Sequence, residues 1–127
     1  MKRSRLTTFR VLSGIAAFGM LFLLAGIIEG HAVLKESSPA ANSKVKGPDV
    51  PIILKYNVRI DAKLSRIQLL NPDNSVNDLK IEAQSSPDTV NATATGLKPG
   101  AYTIRWQVLA PDGHITRGAV PFTVTGS

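Results

Sequence analysis

Two histidines and one aspartate are the side chains of this chain whose types and spacing best suit a metal ion. Asp112 and His114 lie two positions apart in a Pro-Asp-Gly-His segment, and His31 directly follows Gly30. Asp-Gly is also a common hairpin dipeptide, so the pair alone is weak evidence for a site. His31 and His114 are the only histidines of the chain, and we expect extended backbone to place Asp112 and His114 on the same side.

The range 1–30 has the pattern of an export signal. Its first ten residues carry four bases, and Val11 to Ile28 is almost wholly apolar and uncharged. A basic start followed by an apolar run is typical of a signal peptide, although this run is nearly long enough for a retained membrane anchor. We therefore predict export to the periplasm or another extracytoplasmic space, with 1–30 as the signal peptide and 31–127 as the mature domain.

The cleavage position decides whether His31 becomes the first residue. A cut after Ala32 has Gly30 at −3 and fits the rule of small residues slightly better than a cut after Gly30, which has Ile28 at −3. We favour the cut after Gly30 because the α-amine and imidazole Nδ1 of an N-terminal histidine can chelate one metal ion. Both groups must lose protons to bind, so we expect weaker binding at acidic pH.

The donors expected at this site are three nitrogens and one oxygen. His31 supplies an amine and an imidazole, His114 an imidazole, and Asp112 a carboxylate that either coordinates the metal or orients a histidine. A near-planar set of this kind suits Cu(II), while zinc accepts the same donors and stays a competitor. The chain has no cysteine, and both methionines, Met1 and Met20, lie in the range 1–30. A thiolate blue-copper site is thereby excluded, and soft ligands for Cu(I) are missing from the mature domain.

The charge of the chain does not point to nucleic acid. The net charge is +6, but 1–30 holds four of the fifteen bases and one of the nine acids, which leaves +3 for 31–127. No basic cluster interleaved with aromatic residues is present in the sequence. We expect a monomer that does not bind nucleic acid.

The sequence predicts that short strands position these side chains. Tyr102, Ile104, Trp106 and Val108 alternate with more polar residues and predict the best strand of the chain. We predict strands over 31–38, 50–58, 64–70, 76–83, 89–95, 100–109 and 115–124, and a loop over 40–49. Seven short strands with little helix predict an all-β Greek-key sandwich or barrel of Ig-like or cupredoxin-like topology.

Tyr102 follows Leu97 and Gly100 at the spacing of a tyrosine corner, in which the phenol bonds to upstream backbone. We therefore predict a structural role for Tyr102, and burial in the core for Trp106 and Phe122.

The sequence 31–127 resembles the CopC family of exported copper-binding proteins along nearly its whole length. The matching features are His31-Ala-Val-Leu-Lys-Glu-Ser-Ser-Pro-Ala, the strand and turn Ile67 to Asn74, Leu97-x-Pro-Gly-x-Tyr-x-Ile-x-Trp, Asp112-Gly-His114, and the ending Gly118 to Val124. The resemblance implies a seven-stranded cupredoxin-like barrel that binds Cu(II) through His31 and His114, with Asp112 coordinating or orienting. It also implies a role in copper tolerance or uptake, with a copper-importing membrane protein as a candidate partner.

The chain departs from this family in two respects. Some members carry a methionine-rich Cu(I) loop, and the absence of methionine from 31–127 implies a protein for Cu(II) alone. Many members read Phe-Ser-Glu-Pro-Val where this chain reads Tyr56-Asn57-Val58-Arg59-Ile60. The glutamate usual near the site is therefore missing, and Arg59 lies nearby.

Two other functions stay open beside a non-catalytic copper carrier. A copper oxygenase with an N-terminal histidine brace needs a shaped substrate face, whereas the four aromatic residues of 31–127 all lie in predicted strands, so we expect no enzyme. A metal-free Ig-like interaction module is the other, because such sandwiches host many unrelated functions.

Overall fold

Eight β-strands form two sheets in residues 31–126, the part of the chain that this computed structural model describes. The strands are β1 (Leu34–Ser38), β2 (Ser43–Lys46), β3 (Val50–Tyr56), β4 (Arg66–Leu70), β5 (Val76–Leu79), β6 (Thr89–Ala94), β7 (Gly100–Leu109) and β8 (Ile115–Thr125). One turn of 3-10 helix, Ala62–Leu64, precedes β4. Within the described range no helix has the length and apolarity needed to cross a membrane. The predicted signal peptide, 1–30, lies outside the described residues.

The two sheets have the orders β1-β3-β6 and β2-β8-β7-β4-β5. All neighbouring strands run antiparallel except β2 and β8, which are parallel. Five strands, β1, β2, β3, β5 and β6, are each followed in the chain by a strand of the other sheet, which produces the crossovers of a Greek-key sandwich. The prediction of an all-β, two-sheet fold is confirmed.

The core lies between the inner faces of the sheets, and strict alternation of apolar residues creates those faces. Strand β7 buries Tyr102, Ile104, Trp106 and Val108, while β3 buries alternate residues from Val50 to Tyr56. Both Trp106 and Phe122 are core residues, as predicted. Burial of apolar surface is the main favourable term in a domain that has no disulfide.

Several predicted boundaries were wrong. Strand β1 begins at Leu34 and not at residue 31, and β3 ends at Tyr56 and not at residue 58. The range predicted as a loop, 40–49, contains β2, so the structure has eight strands and not seven. Strand β2 has one apolar residue, Val45, and pairs with one neighbour only, which is why its pattern is weak in the sequence. The strand predicted over 76–83 ends at Leu79, and the strand predicted from residue 64 begins at Arg66, after the helical turn.

The predicted tyrosine corner is present at the start of β7. The Tyr102 hydroxyl donates to the Lys98 carbonyl oxygen at 2.8 Å, and its ring stacks on Phe122 with centroids 5.8 Å apart. A Cβ at Gly100 would lie 2.8 Å from Cγ of Pro72, so the corner closes only because this residue is glycine. The start of β7 is thereby fixed by contacts with Lys98, Phe122 and Pro72.

Candidate metal centre

His31, Asp112 and His114 form one cluster on the surface of the domain. Each can offer a ligand atom such that all three atoms lie within 4.8 Å of one another. The two imidazole rings have centroids 5.0 Å apart and planes tilted by 43°. The side chains are 55%, 25% and 65% exposed for His31, Asp112 and His114 respectively. A metal ion could therefore reach this cluster directly from solvent.

The turn between β7 and β8 holds the Asp112–His114 pair. The Gly113 N–H donates to the Ala110 carbonyl at 3.0 Å, and the Ala110 N–H donates to the His114 carbonyl at 3.1 Å. Gly113 has φ +84°, a left-handed conformation that costs other residues about 1–2 kcal/mol. Our expectation of extended backbone here was wrong: a tight turn brings the two side chains together.

The carboxylate of Asp112 contacts both histidines. Its Oδ1 accepts from the His114 backbone N–H at 3.0 Å, which turns the side chain back over the loop. Its Oδ2 then lies 3.0 Å from Nδ1 of His114 and 3.8 Å from Nδ1 of His31. The backbone hydrogen bond from His114, followed by the contact with its imidazole and the nearby histidine charges, lowers the pKa of Asp112 below its usual range. Asp112 is thus kept as an anion beside two imidazoles.

This arrangement would permit Asp112 either of two chemically distinct roles toward a metal ion. When the Nδ1–H of His114 donates to the carboxylate, Nε2 of that ring carries the lone pair that is free to bind a metal. When the imidazoles present Nδ1 instead, the carboxylate oxygen lies close enough to join them as a ligand. Either role supports a dication, since two neutral imidazoles and one anion are hard-to-borderline donors.

The segment after His31 is anchored in the fold. Ala32 is a core residue, only 3% exposed. The Val33 N–H donates to Oδ1 of Asn57 at 2.7 Å, and the Asn57 N–H donates to the Val33 carbonyl at 3.0 Å. His31 therefore projects from a fixed point. Sequence reasoning did not identify Asn57 as the residue that positions this segment, and nothing in its local pattern signals a partner at residue 33.

The range 56–60 contains no acidic residue. Val58 packs against the core and offers no ligand atom. Arg59 lines a shallow cleft beside Pro111 and Gly113, but among residues 31–126 the only ionic contacts of Asp112 are with the two histidines. The single anionic side chain within this cluster is therefore Asp112.

Comparison with known proteins identifies the family. The CopC domain model matches residues 34–125. Protein YobA of Escherichia coli K12 is 31% identical over 105 residues, which cover 80% of this chain and 85% of YobA. Copper resistance protein C of Xanthomonas campestris pv. juglandis is 29% identical over 102 residues, covering 74% of this chain and 80% of that protein.

Two crystal structures agree with the fold described above. CopC from Methylosinus trichosporium OB3b matches with a TM-score of 0.70 at 26% identity, over 76% of this chain and 95% of that one. PcoC, a methionine-rich copper resistance protein from Escherichia coli, matches with a TM-score of 0.64 at 27% identity, over 75% of this chain and 99% of that one. With a family model that spans most of its length and this shared architecture, the chain belongs to the CopC family.

Proposed function

We propose that this chain is an exported copper-binding protein that serves copper homeostasis, resistance or delivery. The single observation that carries the proposal is the convergence of His31, Asp112 and His114, whose ligand atoms lie within 4.8 Å of one another. Copper as the metal is supported by the family and by the names of its relatives, a copper resistance protein C and a copper resistance protein PcoC.

We propose that the bound ion is Cu(II). The cluster offers imidazole nitrogen and carboxylate oxygen, which suit Cu(II), and residues 31–127 contain neither cysteine nor methionine to stabilise Cu(I). The methionine-rich PcoC differs from this chain in that respect. Protons and Cu(II) compete for the same nitrogen lone pairs, so affinity falls as the pH is lowered.

The fourth donor proposed is the α-amine of His31, exposed by removal of residues 1–30 in an extracytoplasmic compartment. Anchoring of Ala32 and Val33 supports this assignment, because it holds the new terminus beside Asp112. A cut after Ala32 would remove one histidine and its amine. A cut after Gly30 would provide three nitrogens and a nearby carboxylate.

The proposed role is binding and transfer without catalysis. The exposed cluster permits exchange of the ion with a partner, for which a copper-importing membrane protein is the candidate, and the protein acts as a monomer. The four aromatic residues of 31–127 are all buried, so none offers an exposed ring on which a polymeric substrate could stack. This burial supports a carrier over a histidine-brace oxygenase.

The test combines N-terminal sequencing of the exported protein with Cu(II) titration and electron paramagnetic resonance. We expect His31 as the first residue, one Cu(II) per chain and hyperfine splitting from nitrogen ligands. A matched form whose His31 α-amine is acetylated loses the amine–imidazole chelate but no side chain. It should bind Cu(II) more weakly than the form with a free His31 amine.

Two results would contradict the proposal. If the exported protein begins at Val33, the His31 chelate does not exist. If the purified protein stays metal-free in excess Cu(II), the metal-free interaction module becomes the better description. Copper-dependent oxidation of a polysaccharide with ascorbate would favour the oxygenase.

A further inference from the structure

The outer face of the five-stranded sheet, directed away from the core, is basic. Alternation along the strands places five cations on this face: Lys44 and Lys46 of β2, Arg117 of β8, Arg105 of β7 and Arg66 of β4. The strands of this sheet add one carboxylate there, Asp78, whose Oδ1 lies 2.9 Å from Nε of Arg66. The other four cations form no ion pair with any residue in the range 31–126.

Three of these cations are arginines on neighbouring strands. Arg66 and Arg117 are both register partners of Gln107, and Arg105 is the partner of Gln68 and Ala119, so Arg105 is diagonal to both other arginines. Diagonal positions in an antiparallel sheet are about 7–8 Å apart, within reach of long side chains, so the charges of neighbouring arginines repel one another. We call Arg66, Arg105 and Arg117 the arginine cluster.

Hydrogen bonds hold two members of the arginine cluster in place, Arg66 and Arg117. Nε of Arg117 donates to Oε1 of Gln107 at 2.8 Å, and Asp78 accepts from both Arg66 and Gln68. The cluster lines a shallow concavity together with Gln68 and Gln107. Two of the three guanidinium groups are oriented by these bonds, and the single counter-charge of Asp78 leaves an excess of two positive charges, which attracts anions from outside the domain.

The same face is apolar where it approaches the metal centre. Leu109 and Ile115 are register partners in line with the outward residues Arg105 and Arg117, and Ile115 is 51% exposed. Ile115 also directly follows His114. From the metal centre along the sheet, a partner would therefore meet an exposed aliphatic side chain and then the arginine cluster.

We propose that this face docks a protein partner whose contact surface carries carboxylates. Arginine binds carboxylates in a bidentate manner, and protein interfaces combine arginine with exposed apolar residues. An anionic lipid surface attracts lysine and arginine alike as point charges and does not need oriented guanidinium groups. The partner's identity as a copper donor or acceptor rests on the function proposed above, because the face borders the metal centre.

The test uses hexaglutamate as the probe and the 15N-labelled exported protein at low ionic strength. We expect amide shift changes at residues 66, 105, 107 and 117 when hexaglutamate is added. The Arg105→Gln/Arg117→Gln variant should bind the peptide about 10-fold or more weakly, the loss expected for removing charged hydrogen bonds. The control is Lys35→Gln/Lys98→Gln, which removes the same charge from exposed positions away from this face and should change affinity less than about 2-fold.

Three outcomes would overturn the inference: equal losses in both double variants, shift changes spread over the whole surface, or tighter arginine-dependent binding to phosphatidylglycerol vesicles than to hexaglutamate. The last would assign the face to membranes. Cu(II) titration of the same variants separates this inference from the proposed function, since Arg105→Gln/Arg117→Gln should still bind one Cu(II).

Discussion

The two ends of the β7–β8 hairpin are built in opposite ways. At the end where β7 begins, Tyr102 is buried, its hydroxyl is bonded to the Lys98 carbonyl, and Gly100 is pressed against Pro72. At the other end, Asp112 and His114 lie exposed on a turn around Gly113. The same pair of strands thus connects a buried end, the tyrosine corner, to a solvent-exposed end, the turn at Asp112–His114, which we call the tip.

This contrast teaches where stability and chemistry are located. The corner buries the Tyr102 ring and satisfies its hydroxyl with the Lys98 carbonyl, so it contributes to the free energy of folding. At the tip, Oδ1 of Asp112 is bonded to the His114 backbone, but within residues 31–126 the two imidazoles and Oδ2 of Asp112 have only one another as partners and are available to an ion from solvent. A rigid hairpin connects the two and limits the movement of the donors.

The most severe test of the contrast is His114→Ala at the tip. We expect loss of stoichiometric Cu(II) binding, because the variant removes an imidazole that no other residue of the cluster replaces. Stability should change by less than about 0.5 kcal/mol, as is usual for exposed positions. Copper titration and urea unfolding followed by the emission of Trp106 measure the two quantities. Wild-type copper affinity in this variant would remove His114 from the site.

The next largest effect is expected for Asp112→Asn. Asparagine keeps an Oδ1 that can accept from the His114 N–H, so the turn should persist, but the negative charge beside both imidazoles disappears. We expect the Cu(II) affinity to fall about 10- to 100-fold, the range seen when a partner of a metal-binding histidine is removed. Competition titration against a chelator measures the change. An unchanged affinity would show that the carboxylate neither coordinates nor orients.

The converse test is Tyr102→Phe at the corner. Removal of the hydroxyl leaves the Lys98 carbonyl without its donor and should lower the free energy of unfolding by about 1 kcal/mol. Cu(II) affinity should stay unchanged, because the opposite end of the hairpin is intact. His114→Ala should therefore affect copper binding but not stability, whereas Tyr102→Phe should affect stability but not copper binding. A parallel loss of copper binding in Tyr102→Phe would show that the two ends are coupled.

The smallest effect concerns the stability of the fold at acidic pH. Hydrogen bonds from the Ser75 side chain and backbone lower the pKa of Asp73, in the turn beside the corner, below its usual range. A carboxyl whose folded pKa is depressed adds stability above its unfolded pKa and loses it as the pH falls through the folded value. Asp73→Asn should therefore lose slightly less stability than wild type between pH 6 and pH 3. A steeper decline in the urea midpoint of the variant would contradict this assignment.

Most of the fold could be predicted from the sequence because its strongest strands have strict period-two patterns. Strand β7 alternates without interruption, and its bounds were predicted correctly. Strand β2 was missed because it carries a single inward apolar residue and depends on pairing with β8, whose position is set by tertiary structure. Local patterns report burial, and a weakly buried edge strand gives little signal.

The candidate site was predictable in composition but not in geometry. The spacing of Asp112 and His114 makes contact possible, yet the contact arises from the turn at Gly113 and the hydrogen bond to Oδ1, not from extended backbone. The approach of His31 depends on residues distant in sequence, Asn57 above all. No periodicity encodes that pairing, so only the folded chain reveals it.

The position of β8 has a consequence for when the chain can fold during its synthesis. Strand β8, Ile115–Thr125, separates β7 from β2 in the five-stranded sheet and contacts both. Strand β2 therefore cannot join this sheet until β8 has been synthesised, and contacts so distant in sequence form slowly. A nascent chain that folds late can pass through a translocon while still unfolded, which the export proposed above requires.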